Sequence, residues 1–189
     1  MKSRWFWAAL ITLVGLAVCV GNVLATDATP APGFAGKTLA MATFGEIDSH
    51  VHTVPASWQE MIKTKGLSDL YVQQNTWNPS PPPAGCGCTP STGWHTHPGP
   101  SLVTVTAGTI TAYEADAPNC TATVYHAGES FTDLGCGDVH LLRNEGPVCA
   151  VTIAVQIIPA GQPRRLDADQ PANCPTFTCP SPTPTPCPH

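Results

Sequence analysis

Two histidines lie one residue apart in the stretch WHTHPGP, residues 94–100, where proline and glycine indicate a turn. If this stretch is extended, successive side chains point to opposite faces, so His95 and His97 point the same way. Two imidazoles on one face can bind one metal ion, each nitrogen about 2.0–2.1 Å from it. The same spacing also occurs between unrelated polar residues near loops, so the pair alone leaves a metal site and an ordinary turn both open.

A third histidine favours the metal site. His140 lies in GCGDVHLLRN, residues 135–144, on a strand predicted to begin after a glycine-rich turn. Two histidines from one strand and one from a distant strand are the minimum set for a three-nitrogen site with open positions. The sequence therefore predicts a divalent metal held by His95, His97 and His140. Imidazole suits many ions, which leaves the metal open among Fe, Mn, Ni, Cu and Zn.

Residues 68–160 are predicted to form the strands that would bring these histidines together. The runs are short, rich in Val, Ile, Thr or aromatic residues, and bounded by Gly, Pro, Asp or Asn. They include SDLYVQQNTW (68–77), SLVTVTA (101–107), TITAYEA (109–115), TVYHAG (123–128) and EGPVCAVTIAVQIIPAG (145–161). No helical periodicity is found after residue 66. Such a series of strands favours an antiparallel sandwich or barrel.

The segments outside the barrel have other compositions. Residues 57–65, SWQEMIKTK, combine Ser57 and Glu60 at the spacing of a capping box, which predicts one short helix. The tail from residue 171 is rich in Pro and Thr and is predicted to be extended. We expect a signal peptide over 1–25, an N-terminal extension over 26–67, the barrel over 68–160, and a C-terminal segment with a cysteine-containing tail over 161–189.

The first 25 residues have the order of a signal peptide. Lys2 and Arg4 precede an apolar run over 8–20, and small or apolar residues follow at 23–25. Cleavage there would make the protein secreted, periplasmic or bound at the cell surface. Residues 5–25 are also about long enough to span a bilayer, at ~20 residues, so an uncleaved membrane anchor is an alternative. A lipidation box over 16–19 is a poorer one, because Val18 occupies a position for a small residue.

Charge and cysteine content agree with export. Without the leader the chain has six basic and thirteen acidic residues, which gives no electrostatic basis for binding nucleic acid. An even set of cysteines in an exported chain predicts disulfides. Excluding Cys19 of the leader, the set is Cys86, Cys88, Cys120, Cys136, Cys149, Cys174, Cys179 and Cys187.

Eight cysteines allow 105 pairings, so the sequence leaves the connectivity open. One hypothesis is that Cys179 and Cys187 attach the tail to Cys86 and Cys88. Some members, such as Cys149 in a hydrophobic run, could instead be buried thiols.

The two histidine motifs together resemble those of the cupins, in particular small exported bacterial single-domain cupins. The first cupin motif runs His-x-His, three or four residues, Glu, six residues, Gly. The second runs Gly, five residues, Pro-x-Gly, two residues, His, three residues, Asn. The matching positions are His95, His97, Ser101 and Gly108, then Gly128, Gly135, Gly137, His140 and Asn144.

Three departures from the cupin pattern stand out. Thr89 occupies the position of the leading Gly of the first motif, and Gly135 replaces the Pro after a spacing one residue longer. Above all, Ser101 replaces the carboxylate ligand. Neutral imidazoles add no charge, so an M²⁺ ion held by them alone would stay dicationic and favour an anionic ligand or water.

The resemblance, which covers about residues 68–160, implies an all-β, double-stranded β-helix (jelly-roll) barrel. It implies a metal ion on His95, His97 and His140, a small organic ligand or substrate at the barrel mouth, and a homodimer. Three-histidine cupins occur among oxygenases, including thiol dioxygenases and some ring-cleaving enzymes, so a metal-dependent dioxygenase is one hypothesis. A non-enzymatic small-molecule-binding or cell-surface module is the alternative, and a barrel merely stabilised by a metal is a third.

Several other polar residues could line a pocket. By strand alternation one of Gln73 and Gln74 must face inward, and Gln156 could do so too, where an amide could bind a substrate or a metal-bound water. The alternative for each is an outward, solvated side chain. His126 is expected at the rim or surface, or as a base beside the site.

His50 and His52 repeat the His-x-His spacing but have no partner strand in the barrel, so we expect a solvated strand there. In the resembled proteins a Cys after an Asp-Pro-like turn and one in Asn-Cys-Pro often occur together. The resemblance thus implies a disulfide between Cys120 and Cys174.

Overall fold

The structure is a computed structural model that describes residues 32–53, 58–80 and 89–177. These residues form twelve strands and one short 3₁₀ helix, Pro118–Cys120. The strands are β1 (Phe34–Phe44), β2 (Asp48–His52), β3 (Gln59–Lys63), β4 (Ser68–Trp77), β5 (His95–Thr96), β6 (Ser101–Ala107), β7 (Thr109–Glu114), β8 (Thr123–His126), β9 (Ser130–Asp133), β10 (His140–Arg143), β11 (Ala150–Pro159) and β12 (Leu166–Asp167).

Two five-stranded antiparallel sheets make up the barrel. One has the order β1-β4-β11-β6-β9 and the other the order β12-β5-β10-β7-β8. From β4 to β11 the chain passes repeatedly from one sheet to the other, which is the winding of a double-stranded β-helix. The predicted all-β jelly-roll fold is confirmed. Strands β4 and β6 also begin and end where their residue patterns predicted, whereas β11 occupies only residues 150–159 of the run predicted over 145–161.

Alternation along the strands divides the barrel interior into an apolar end and a polar end. On β6, the buried positions pass from Ser101 through Val103 to Val105, and the residues between them are exposed. On β11, they pass in the opposite direction, from Ala150 to Gln156. Because neighbouring strands are antiparallel, their apolar positions meet at one end. The apolar cluster there consists of Trp77, Val105, Ile110, Ala112, Leu142 and Ala150.

A glycine turn closes the apolar end. Gly108 joins β6 to β7 with a φ of +68°, and a Cβ atom there would collide with the carbonyl oxygen of Cys149. The position thus requires both the left-handed backbone and the missing side chain of glycine.

The predicted helix over residues 57–65 is wrong. Residues 59–63 form β3, which pairs with β2 in a separate two-stranded sheet. An isolated helix of two turns is costly to nucleate, whereas each residue of β3 finds a backbone partner on β2. An exposed ion pair between Lys63 and Asp48, at 2.7 Å, adds to this pairing.

The two sheets extend beyond the predicted barrel limits of 68 and 160. β1, from the predicted N-terminal extension, pairs with β4 over most of its length, and β12, from the C-terminal segment, pairs with β5. β1 is an edge strand that is exposed at ten of its eleven positions. It therefore lacks the apolar alternation by which half-buried strands are identified in a sequence.

The described cysteines have different roles. Cys120 and Cys174 form the disulfide that the resemblance implied, and Cys136 is also disulfide-bonded. Cys149 is a free thiol, but it is exposed, so the expectation of a buried thiol is wrong.

Other predicted features lie outside the described residues. They are the signal peptide, the end of the tail, and Cys86, Cys88, Cys179 and Cys187. In the part of the chain that is described, no helix has the length and apolar character needed to span a bilayer.

Candidate metal centre

The structure brings the three predicted histidines together at the polar end of the barrel. β5 pairs with β10 so that His95 and His140 lie directly opposite each other. His97 follows two residues after His95 and, as alternation requires, lies on the same face. Potential ligand atoms of the three residues lie within 4.8 Å of one another. All three residues are buried, with 4% of the surface of His95, 8% of His97 and 4% of His140 exposed.

Backbone carbonyl groups orient all three imidazoles. Since a carbonyl oxygen can only accept a hydrogen bond, the proton of each neutral ring is assigned to Nδ1. The Nε2 lone pairs then remain available as metal ligands, an arrangement common in metalloproteins. The contacts join His95 to Gly93 O at 2.9 Å, His97 to Arg164 O at 2.5 Å, and His140 to Asp138 O at 3.3 Å.

Burial also keeps two of the rings neutral. Desolvation, with a smaller contribution from the imidazoles of His140 and His97, lowers the pKa of His95 well below its ordinary value. Desolvation, followed by the influence of His140, lowers the pKa of His97 to about 3. Neutral imidazole is the form that binds a metal ion.

Ser101 lies beside the histidines, where the resemblance leads one to expect a carboxylate. It is buried and accepts a hydrogen bond from Gln156 Nε2 at 2.9 Å. Arg164 in turn donates to Gln156 Oε1 at 2.9 Å, which fixes the orientation of the amide. Ser101 therefore has a hydrogen-bonding role here.

A carboxylate that the sequence analysis missed lies next to this position. Asp133, the last residue of β9, pairs directly with Ser101 on β6 and is 4% exposed. Its Oδ2 lies 3.3 Å from Nε2 of His97. A signal was present in the sequence, since Asp133 shares the inward face of its strand with Phe131. The glycine-rich turn that follows made Asp133 resemble an ordinary turn residue.

Two of the three glutamines line the cavity, and the other described histidines lie outside it. Gln73 and Gln156 are buried and line the cavity beside the histidines, whereas Gln74 is not among the lining residues. His126 is exposed on β8 and also lies outside the lining. His50 and His52 are exposed on β2, in agreement with the solvated strand expected for them.

The cavity has a volume of about 520 Å³, within the range of small-molecule sites. Two arginines that the sequence analysis did not single out, Arg164 and Arg165, line it. Burial lowers the pKa of both guanidinium groups. Their signal in the sequence was that they are adjacent, which is rare for basic residues in this chain. They reach the mouth of the cavity only because the chain returns to pair β12 with β5.

The two guanidinium groups differ in their partners. Arg165 pairs with Asp167, its Nε lying 2.8 Å from Oδ1. Arg164 has no carboxylate partner among the described residues, and its polar contact is with the amide of Gln156. A half-buried cation without an acidic partner favours an anionic ligand in the cavity.

The donor set fits a divalent metal ion. One potential ligand atom from each of the three buried imidazoles lies within 4.8 Å of the others, and the buried Oδ2 of Asp133 has no hydrogen-bond partner among the described residues. Buried polar atoms are normally paired, so an unpaired carboxylate oxygen beside three imidazoles indicates a position for a cation. Nitrogen ligands of this kind suit several first-row transition metals.

No protein-family model matches the chain, and no curated protein matches it. Solved structures that are similar to it include a conserved protein with a double-stranded β-helix domain from Klebsiella pneumoniae, at 20% identity and a TM-score of 0.39. That match covers 67% of this chain and 86% of the other. A cupin-like protein from Thermotoga maritima is similar at 19% identity and a TM-score of 0.41, over 52% of this chain and 64% of that one.

An oxalate oxidase solved in complex with glycolate is similar at 17% identity and a TM-score of 0.43, over 76% of this chain and 59% of that one. In fold, the chain is similar to cupin-like proteins.

Proposed function

We propose that this chain is an exported metal-binding protein of the cupin type, with a divalent ion on the Nε2 atoms of His95, His97 and His140. The observation that carries the proposal is that ligand atoms of the three buried rings lie within 4.8 Å of one another, with each Nδ1 at a backbone carbonyl oxygen. A polar face built only to pack would have no need to direct three lone pairs into one space.

We further propose that the cavity takes a small organic anion beside the metal. Arg164 supplies a guanidinium group without a carboxylate partner among the described residues, and Gln73 supplies a buried amide. A carboxylate is the planar anion that a guanidinium group binds best, through two parallel hydrogen bonds. The cavity volume of about 520 Å³ suits a ligand of small-molecule size.

A metal-dependent oxidation of that ligand is the activity we propose to test. A redox-active ion such as Fe(II) would supply the one-electron chemistry that reactions with O₂ require. The residues of the chain would orient the ligand through Arg164 and hold the imidazoles in place through backbone carbonyl groups. They would also exclude bulk water from a site whose three histidines are almost wholly buried. A binding module without turnover would use the same residues for recognition alone.

Metal content tests the first part of the proposal. The protein would be expressed with one added metal at a time (Fe, Mn, Ni, Cu or Zn) and then desalted. Inductively coupled plasma mass spectrometry should find about one ion per chain. His95→Ala and His140→Ala should lose it, while His126→Ala, which removes an exposed histidine outside the cavity, should keep it. Full metal content in both site variants would refute the proposed ligands.

Oxygen consumption separates an enzyme from a binding module. Metal-loaded protein would be given small thiols, phenols, diketones and carboxylates in an oxygen electrode. Consumption that His95→Ala abolishes supports an enzyme. Ligand binding by calorimetry without any consumption supports the binding module.

Export rests on the predicted signal peptide and on disulfide chemistry. Cys120 and Cys174 form a disulfide, and disulfides persist in oxidising compartments. We propose a secreted, periplasmic or cell-surface protein. Intact mass of the protein recovered from outside the cytoplasm should correspond to a chain that begins near residue 26, whereas an intact leader in that fraction would favour the uncleaved anchor.

A further inference from the structure

We propose that Asp133 is a fourth ligand of the metal, and that it supplies from β9 the carboxylate that Ser101 lacks on β6. The inference rests on the proposed metal centre and concerns a residue outside both cupin-like motifs. Its basis is the register of the two strands. Ser101 and Asp133 are direct cross-strand partners, so the carboxylate lies one strand away from the position that the motif predicts.

The contact between Asp133 and His97 is not a hydrogen bond. Oδ2 of Asp133 lies 3.3 Å from Nε2 of His97, yet it has no hydrogen-bond partner among the described residues. Nδ1 of His97 lies 2.5 Å from the carbonyl oxygen of Arg164, so the ring proton must be on that side. Nε2 of His97 and Oδ2 of Asp133 therefore face each other inside the protein without a hydrogen bond that pairs them.

His97 also has a contact with the side chain of Gln156. Nε2 of Gln156 lies 3.1 Å from Nδ1 of His97, and an amide donor there would require an unprotonated Nδ1. The contact with Arg164 is much shorter, and two acceptors at 2.5 Å would repel each other strongly. The amide of Gln156 has a better acceptor in Oγ of Ser101 at 2.9 Å. The proton thus remains on Nδ1 of His97.

A buried carboxylate oxygen that lacks a hydrogen-bond partner and faces a ring nitrogen indicates a position for a cation. The separation of 3.3 Å would allow both atoms to bind one ion at ordinary ligand distances of about 2.1 Å. A carboxylate ligand would reduce the charge of a bound M²⁺ site to +1, whereas the three histidines alone would leave it at +2.

The turn after β9 holds the carboxylate in this position. The backbone N–H of Gly135 donates to Oδ1 of Asp133 at 2.8 Å, and that of Cys136 donates to the carbonyl oxygen of His97 at 2.6 Å. Gly135 has a φ of +69°, and a Cβ atom there would collide with the carbonyl oxygen of Gly99. The turn therefore holds Oδ1 by hydrogen bonding and leaves Oδ2 beside Nε2 of His97.

Cobalt binding tests the inference with a readout that is independent of activity. Asp133→Asn keeps an oxygen for the hydrogen bond from Gly135 but removes the charge. It should weaken Co²⁺ binding at least tenfold and change the visible absorption of bound Co²⁺. Asp116→Asn, which removes the same charge from an exposed position, should do neither.

Asp133→Cys distinguishes a ligand from a residue that only positions His97. A thiolate bound to Co²⁺ gives a strong near-ultraviolet charge-transfer band, which should appear in this variant and be absent from Asp116→Cys. It also provides a decisive result if Asp133→Asn does not fold, as judged by circular dichroism of the metal-free protein.

The outcomes separate this inference from the proposed function. Loss of Co²⁺ in His95→Ala, together with wild-type affinity and spectrum in Asp133→Asn or no charge-transfer band in Asp133→Cys, would overturn the role of Asp133 alone. Equal Co²⁺ binding by the wild type and His95→Ala would overturn the metal centre and this inference with it.

Discussion

The chemistry of single residues at this site is governed by where each imidazole carries its proton. Burial disfavours the charged form of a histidine, and a backbone carbonyl oxygen selects which nitrogen is protonated. His95 and His97 are affected by both, since their pKa values are lowered and their Nδ1 atoms have carbonyl partners. Both rings are thus neutral and hold a fixed proton position, which is the state that the proposed metal centre needs, at some cost to the stability of the metal-free protein in acid.

That cost should be measurable as a pH dependence of stability. The pKa of His97 is about 3 in the folded protein, against about 6.5 in an unfolded chain. Between these values the unfolded state binds the proton and the folded state does not, so the free energy of unfolding should fall as the pH decreases through this window. Each such histidine contributes a slope of up to about 1.4 kcal/mol per pH unit.

Urea unfolding of the metal-free protein with a chelator, from pH 7 to pH 5, would measure the slope. His97→Gln should reduce it, while Thr104→Ala, an outward substitution on β6, should leave it unchanged. An identical slope in His97→Gln and the wild type would contradict the prediction.

Arg164 gives a second prediction at the residue scale. Arg164→Gln removes the guanidinium group that has no acidic partner among the described residues but leaves a polar side chain at the mouth. A hydrogen bond to a charged group contributes about 1.5–3 kcal/mol, so affinity for a small carboxylate should fall by about ten- to a hundredfold. Calorimetry of the metal-loaded protein with mono- and dicarboxylates would measure it. Lys37→Gln, on the exposed face of β1, is the control, and equal losses in both variants would exclude a specific role.

At the scale of strands, alternation and register together assemble the site. Alternation directs Ser101 and Gln156 inward at the polar end of their strands and apolar residues inward at the other end. Register then determines which inward residues become neighbours, as with His95 and His140 or Ser101 and Asp133. A shift of one residue would turn every side chain to the opposite face.

The turn at Gly108 should be sensitive to substitution for this reason. Gly108→Ala requires a left-handed backbone and also places a Cβ atom against the carbonyl oxygen of Cys149. Gly128→Ala is the matched control, since its φ is +94° but nothing lies within 4 Å of the added carbon. The left-handed backbone alone costs roughly 1–2 kcal/mol, so Gly108→Ala should destabilise the protein by clearly more than Gly128→Ala. Equal effects in urea unfolding would show that the turn can relax.

At the scale of the whole molecule, the C-terminal segment completes the cavity. After β11 the chain returns through Arg164 and Arg165 to β12, which pairs with β5 beside the histidines. The disulfide between Cys120 and Cys174 then attaches this segment to the 3₁₀ helix that follows β7. One covalent bond thus links the connection between β7 and β8 to the segment that follows β12.

Removing that bond should destabilise the molecule substantially. It closes a loop with a sequence separation of 54 residues, for which chain entropy gives a contribution of about 4 kcal/mol. Cys120→Ser/Cys174→Ser should lose an amount of this order in urea unfolding. Cys149→Ser, which removes a free and exposed thiol, should be nearly neutral. A loss below about 1 kcal/mol in the double variant would show that the unfolded chain gains little freedom.

The sequence by itself determined the parts of this protein that depend on local pattern. The period of two in SLVTVTA and AVTIAVQIIP gave β6 and β11, and the spacing of His95 and His97 put both rings on one face. The motif containing His140 indicated the third ring. These inferences hold because alternation acts between adjacent residues and depends little on the rest of the chain.

Only the tertiary structure decided the features that depend on pairing between distant segments. Asp133 becomes the neighbour of Ser101 through the register of β9 on β6, and Arg164 reaches the mouth because β12 returns to β5. The exposed strands β1 and β3 form because partners are available, and neither has the apolar pattern of a half-buried strand. Cross-strand partners are selected by the packing of the whole barrel, and no local pattern of residues encodes that choice.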